Sequence, residues 1–198
     1  MEIIYATTNE GKKNQVQEFL DYNHYDIKLI TLKDIGFDEE INENGNTFEE
    51  NSYIKAKAVK TFCIRNNIDK IVVADDAGLM VDALGGRPGV HSARYAGDHA
   101  PQEKTLEKLL NEMKGVKDRS ASFTCVLTAI LSNGEKIVCK GVTKGRIAEK
   151  CGTMGKLTFG PVLIPDGFDR VMNDLTEEEI GTTHRQKAWK ELLELINI

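Results

Sequence analysis

Apolar positions along the chain change their period several times, and each change predicts an element. Residues 2–6 form a short apolar run that reads as a buried strand; after the Asn9-Glu10-Gly11 turn, the apolar positions of 14–20 recur at helical spacing. Residues 47–63 carry Phe48, Ile54, Ala58 and Phe62 in a helical rhythm, and 70–74 form a compact β-branched strand that leads into Asp75-Asp76. The stretch 84–97 is dense in Gly, Pro and small polar residues and predicts an ordered loop. A helix follows over 104–113. Strands at 122–132 and 136–142, joined through Asn133-Gly134, predict a hairpin, because both central residues of a tight type I′ turn need positive φ. A further strand is expected at 145–148, an apolar run at 157–165, and an amphipathic helix over 183–196. Strands and helices alternate early and strands cluster later. The fold class is therefore α/β, with a mixed sheet and flanking helices rather than a fully parallel doubly wound sheet. No Pro/Gly/Ser-rich linker divides residues 1–198, which are read as a single domain.

Composition narrows the function classes. A chain of 198 residues can bury a continuous core without covalent staples. No apolar stretch is long enough to span a bilayer, and no basic, then apolar, then small-residue leader follows Met1, so the expectation is a cytoplasmic protein with no membrane partner. Cys63, Cys125, Cys139 and Cys151 stand singly, without metal-ligand spacing, and are read as reduced buried thiols. A formal net charge of −5 argues against a nucleic-acid polymer as partner, since neutralising many phosphates needs a basic stripe. A few local cations could still hold one triphosphate.

Four segments carry candidate chemistry. Thr7-Thr8-Asn9-Glu10-Gly11-Lys12 is a polar turn between a buried strand and a helix, a place where backbone amides face outward and bind phosphate. Lys12 lies near the helix start, where the helix dipole does not favour a cation, which points to an anionic ligand or to an ordinary solvated lysine. Among the acids, Glu43, Glu49, Glu50, Asp75 and Asp76 stand out. Successive strand side chains point to opposite faces, so only one of Asp75 and Asp76 can face a given site unless the strand has already ended. One of them, with Glu43, would suit Mg²⁺, which takes one or two carboxylates plus substrate phosphates. The glycine-dense stretch from Gly85 to Gly97 carries Arg87 and Arg94. His184-Arg185 opens the final helix, where a guanidinium could recognise a keto oxygen or phosphate, or pair with a nearby acid.

Together these segments resemble the inosine/xanthosine triphosphate pyrophosphatase family over nearly the whole chain. The matching motifs are T-x-N-x-x-K at Thr7, Asn9 and Lys12; T-F-x-E-N-x-x-x-K-A at 47–56; A-D-D-x-G-L at 74–79; G-G-x-P-G-x-x-S-A-R-Y-A-G at 85–97; and H-R at His184-Arg185. The resemblance implies an elongated fold with two lobes around a central cleft, usually in a homodimer. It also implies Mg²⁺-dependent attack of water on the α-phosphorus of a nucleoside triphosphate, with Mn²⁺ as the alternative ion. By position, Lys12 would act in catalysis and, with Thr7, Thr8, Asn9, Glu10 and Gly11, cradle the triphosphate. Glu43 would be a metal ligand, and Asp76 a second ligand and the general base. Ala77, Phe159, His184 and Arg185 would line the nucleotide site.

The departures lie at the base end. Ala77 stands where the family usually has serine. In place of F-G-Y-D-P the chain has Gly155-Lys156-Leu157-Thr158-Phe159-Gly160-Pro161, so that either Phe159-Gly160 takes the F-G place with Y-D deleted, or Lys156 falls on the phenylalanine; in both registers the aspartate is missing. The lysine that precedes S-H-R in the family is also missing, and Thr183 replaces the serine. The expected function is hydrolysis of ITP, dITP or XTP to monophosphate and pyrophosphate, a nucleotide house-cleaning reaction. The alternatives are the same fold acting on a different or modified nucleotide, and a non-catalytic nucleotide-binding protein.

Overall fold

The computed structural model describes residues 1–155 and 157–198. Six strands hydrogen-bond in the order β2-β1-β3-β4-β5-β6, with β1 at Glu2–Tyr5, β2 at Lys28–Ile30, β3 at Ile71–Val81, β4 at Ser120–Ile130, β5 at Lys136–Ile147 and β6 at Leu163–Pro165. β1 runs parallel to β2 and β3, and β5 antiparallel to β6, so the sheet is mixed, as the alternation of elements predicts. The helices are α1 (Glu10–Tyr22), α2 (Phe48–Arg65), α3 (Gln102–Glu112), α4 (Glu177–Ile180) and α5 (His184–Leu195). None of the described helices is long and apolar enough to cross a membrane.

Contacts divide the chain into two compact units. The first comprises Met1–Asp76, Cys125–Gly141 and Arg185–Ile198. Part of its core joins Ile4 and Ala6 of the β1 end to Val72 and Ala74 of β3 and to Ala56, Val59 and Cys63 of α2, all buried. Trp189 of α5 is fully buried and meets Tyr5 edge to face at 5.4 Å, a preferred aromatic geometry. α2 starts sharply because Thr47 and Glu50 form a capping box, each side chain bonding the other's backbone N–H. The second unit, Ala77–Thr124 and Val142–His184, has its own core of Leu79, Val81, Leu106, Leu109, Phe123 and Leu163, among others.

Four expectations are corrected. The strand read at 70–74 continues to Val81 and carries Asp75 and Asp76 in its middle. The strands read separately at 136–142 and 145–148 are one strand, β5. Gly145 obscured that continuity: it weakens strand patterning, yet a Cβ there would lie 2.2 Å from the Ile164 carbonyl oxygen of β6, so close pairing requires glycine. Cys151 is exposed, whereas the other three cysteines are buried. The Asn133-Gly134 turn joins β4 to β5, with the Leu131 N–H donating to the Glu135 carbonyl at 2.9 Å, but it is not type I′: of its two central residues only Gly134 takes a positive φ, 87°.

Candidate active site

Because β3 runs on past Asp76, its two aspartates take opposite faces of the strand. Asp75 is 1% exposed and sits among donors. The Tyr5 hydroxyl donates to its Oδ1 at 2.9 Å, Arg185 Nε donates to Oδ2 at 3.1 Å, and Lys12 Nζ lies 3.3 Å from Oδ2. The Cys125 thiol points at Oδ2 from 3.7 Å. Burial alone would raise the Asp75 pKa. Lys12 and Arg185, followed by Lys55 and the Tyr5 hydroxyl, outweigh it and hold the carboxyl well below the usual range. Burial, and then the Asp75 charge, push the Tyr5 hydroxyl well up, so it stays a donor. The Arg185 guanidinium is committed further, with Nη1 donating to Gln15 Oε1 at 2.8 Å. Of the two readings open for Arg185, the structure displays the acid pairing.

Asp76 meets a different set of groups. Asn51 Nδ2 donates to its Oδ2 at 3.0 Å, and Lys55 Nζ lies 4.0 Å from Oδ1. The same ammonium reaches Glu43 Oε2 at 2.5 Å, so Glu43 and Asp76 converge on one cation-binding point. Burial pushes the Asp76 pKa up and Glu43 adds to the rise; Lys55 and the Asn51 bond lower it, and the balance is a raised value. Among the described residues no three His, Cys, Asp or Glu side chains gather as a complete metal cluster. Two converging carboxylates fit a hard cation such as Mg²⁺ or Mn²⁺ whose remaining ligands are water and substrate oxygens.

The turn before α1 is built by its own side chains. Asn9 caps the helix by accepting the Lys12 N–H at 3.1 Å, and the Asn9 N–H bonds Thr7 Oγ1 at 3.1 Å. Glu10 and Gly11 occupy the first two helical positions, where an α-helix offers the amides no acceptor of its own. Thr8, Asn9, Glu10 and Gly11 are exposed, and Lys12 is partly so while it leans toward Asp75. Thus Lys12, Glu43, Asp76 and Arg185 are gathered with the turn in the first unit.

Ala77, Phe159 and His184 belong to the second unit. Phe159, expected to line the nucleotide site, is core instead: it is 2% exposed and its ring packs edge-on to Tyr95 at 6.3 Å. Lys156, the other candidate for that place, lies outside the described residues. His184 is buried and stacked on Phe123, with ring centroids 5.1 Å apart. Ala77 is half-buried. The glycine-dense loop has a structural role of its own, since Ser92 Oγ accepts the Leu79 N–H at 3.0 Å and donates to the Gly89 carbonyl at 2.7 Å. A Cβ on Gly78 would lie 2.3 Å from that hydroxyl, which explains glycine after the acidic pair. Asn51, Lys55, Gln15 and Tyr5 received no role from sequence reasoning. For Asn51 and Lys55 a signal was present, because positions i and i+4 of one helix share a face.

Residues 3–195 match the model of the Ham1 family. The chain is 42% identical to a Bacillus subtilis protein named dITP/XTP pyrophosphatase, across 98% of this chain and 96% of that one. It is 38% identical to the Clostridium perfringens protein of the same name, across 96% and 94%. Among solved structures, the Staphylococcus aureus Ham1 protein superposes with a TM-score of 0.85 at 34% identity, covering 100% of this chain and 98% of that one. A family model spanning nearly the whole sequence, relatives aligned end to end and a shared fold lead to one conclusion: the chain belongs to the Ham1 family.

Proposed function

We propose that this chain is a nucleoside triphosphate pyrophosphatase that hydrolyses noncanonical purine nucleotides of the dITP, ITP and XTP type to monophosphate and pyrophosphate. In this reading it acts as a single pyrophosphatase domain, in the cytoplasm and as a homodimer, with Mg²⁺ or Mn²⁺ as its ion. The reading draws on relatives named dITP/XTP pyrophosphatase that align over the full chain. The observation that carries it is the convergence of Glu43 and Asp76 on one cation-binding point. A pure nucleotide binder has little use for a pair of metal-competent carboxylates, one of them with a raised pKa.

In the proposed reaction Asp76 takes a proton from water as its oxygen attacks the α-phosphorus, and the bond to the α–β bridging oxygen breaks. Pyrophosphate then leaves with that oxygen. When bound, the divalent ion offsets phosphate charge. Lys12 supplies a compact cation to the phosphate oxygens, and the turn from Thr7 to Gly11 supplies amides and hydroxyls. Asp75 holds Lys12 and Arg185 in place without being consumed by the reaction. Base choice is proposed to differ from the family's usual pattern, because no aspartate follows Phe159-Gly160 and the Phe159 ring is buried.

The test is pyrophosphate release with Mg²⁺ across ITP, XTP, dITP, GTP, ATP and the pyrimidine triphosphates. Preference for dITP, ITP and XTP is expected, with weakened rejection of GTP. Nucleotide binding without pyrophosphate release from any of them would defeat the proposal.

A further inference from the structure

The amide of Asn51 is 4% exposed and spans two parts of the first unit. Its Oδ1 accepts the Gly45 N–H at 2.8 Å, and its Nδ2 donates to Asp76 Oδ2 at 3.0 Å. One end must accept and the other must donate, and a short planar amide offers both. Gly45 lies two residues after Glu43, so the bond pins the segment that carries Glu43. The fit is close: a Cβ on Gly45 would lie 2.7 Å from Asn51 Oδ1 and 2.6 Å from Glu50 Cβ. Asn51 itself stands in the first turn of α2, a rigid base because the Thr47–Glu50 capping box closes that turn and Glu50 also accepts the Asn46 N–H at 2.5 Å. One side chain therefore joins the backbone beside one carboxylate to the other carboxylate directly.

We infer that Asn51 is a positioning residue that sets the separation of Glu43 and Asp76, and through it the affinity of the pair for a divalent cation. The inference rests on the function proposed above. Groups that orient metal ligands without touching the ion typically change affinity or activity by about 10–100-fold when removed.

Two substitutions break the link from its two ends in the full-length protein. Asn51→Leu removes both hydrogen bonds at similar volume. Gly45→Ala forces the loop away while leaving Asn51 able to donate to Asp76. Three readouts are taken: amide hydrogen exchange at position 45, Mn²⁺ binding to the protein alone by counting free ion in electron paramagnetic resonance, and the Mg²⁺ concentration for half-maximal pyrophosphate release from dITP. Both variants are expected to lose protection at position 45 and to need about 10–100-fold more Mn²⁺ and Mg²⁺, with a smaller change in kcat at saturating Mg²⁺. Unchanged ion requirements with protection lost would overturn the inference, as would protection retained in Asn51→Leu. Turnover lost at saturating Mg²⁺ with Mn²⁺ affinity intact would overturn it too. If Asn51→Leu does not fold, Gly45→Ala decides. A wild-type protein that binds Mn²⁺ but releases no pyrophosphate would sink the proposed function, while the exchange and Mn²⁺ readouts would still judge the positioning role.

Discussion

Asp75 and Asp76 are neighbours in the chain and of identical chemistry, yet the two faces of β3 give them opposite characters. On one face Asp75 is enclosed by a lysine, an arginine and a tyrosine, and burial is overruled by charge. On the other, Asp76 shares one ammonium with Glu43 and accepts a bond from the Asn51 amide, and burial prevails. A carboxylate surrounded by donors stays ionised and is structural. One whose counter-charge is divided is left reactive and able to take a cation or a proton. Neighbouring acids whose pKa values are driven apart in this way mark a division of roles.

The sharpest way to break the comparison is at Asp76. Asp76→Asn keeps the shape and removes the proton acceptor, and turnover of dITP is expected to fall by about 10²–10⁴-fold while nucleotide binding persists. Near-normal turnover would remove Asp76 from the catalytic role. Asp75→Asn should act first on stability: Lys12 and Arg185 are left facing a neutral group in a buried setting, a change that costs about 3–5 kcal/mol when a buried pair is broken. Urea unfolding would measure this loss, and a loss under 1 kcal/mol, on the order of a surface pair, would show that the Asp75 cluster is not structural. Arg185→Ala is expected to lower stability and turnover together and to leave the ITP-to-ATP preference as it was, because Nε and Nη1 are occupied by Asp75 and Gln15. A changed preference would instead mark Arg185 as a base contact. Tyr5→Phe removes one hydrogen bond to a charged group and should cost about 1.5–3 kcal/mol without changing nucleotide choice.

Acid titration in chelator distinguishes the faces by sign. Asp75 has a folded pKa below the ordinary aspartate value of 3.8, so its contribution to stability is fully present above that value and is lost only as pH falls toward the depressed one. Asp76 has a folded pKa above 3.8; the folded state holds the proton more tightly than the unfolded chain, and stability falls as pH rises through that window. Asp76→Asn should therefore gain stability relative to wild type as pH climbs from about 4 toward neutrality. A constant difference across that range would show that Asp76 has no raised pKa.

Much of the candidate site's residue inventory was legible before the fold was known. The turn from Thr7 to Lys12, the acid Glu43, the pair Asp75-Asp76 and the His184-Arg185 step are residue types whose chemistry is local. The helices and the Asn-Gly turn followed from apolar period and turn preference. Short strands were less legible: β2 has three residues, too few to display a period. The extent of β3 was misread for a related reason, since two adjacent aspartates inside an apolar run look like an end until partners for their charges are known.

Those partners come from far along the chain. Asp75 finds Lys12 63 positions away and Arg185 110 positions away, and Asn51 reaches Asp76 across 25. Residue type and spacing are properties of the sequence, so the inventory of acids, cations and turn amides, and the family they resemble, could be read from it directly. Which aspartate is neutralised, which shares its cation with Glu43, and whether Phe159 presents a ring or buries it depend on distances between segments that no local pattern encodes. In a low-dielectric interior, burial and those distances together set the sign of each pKa shift.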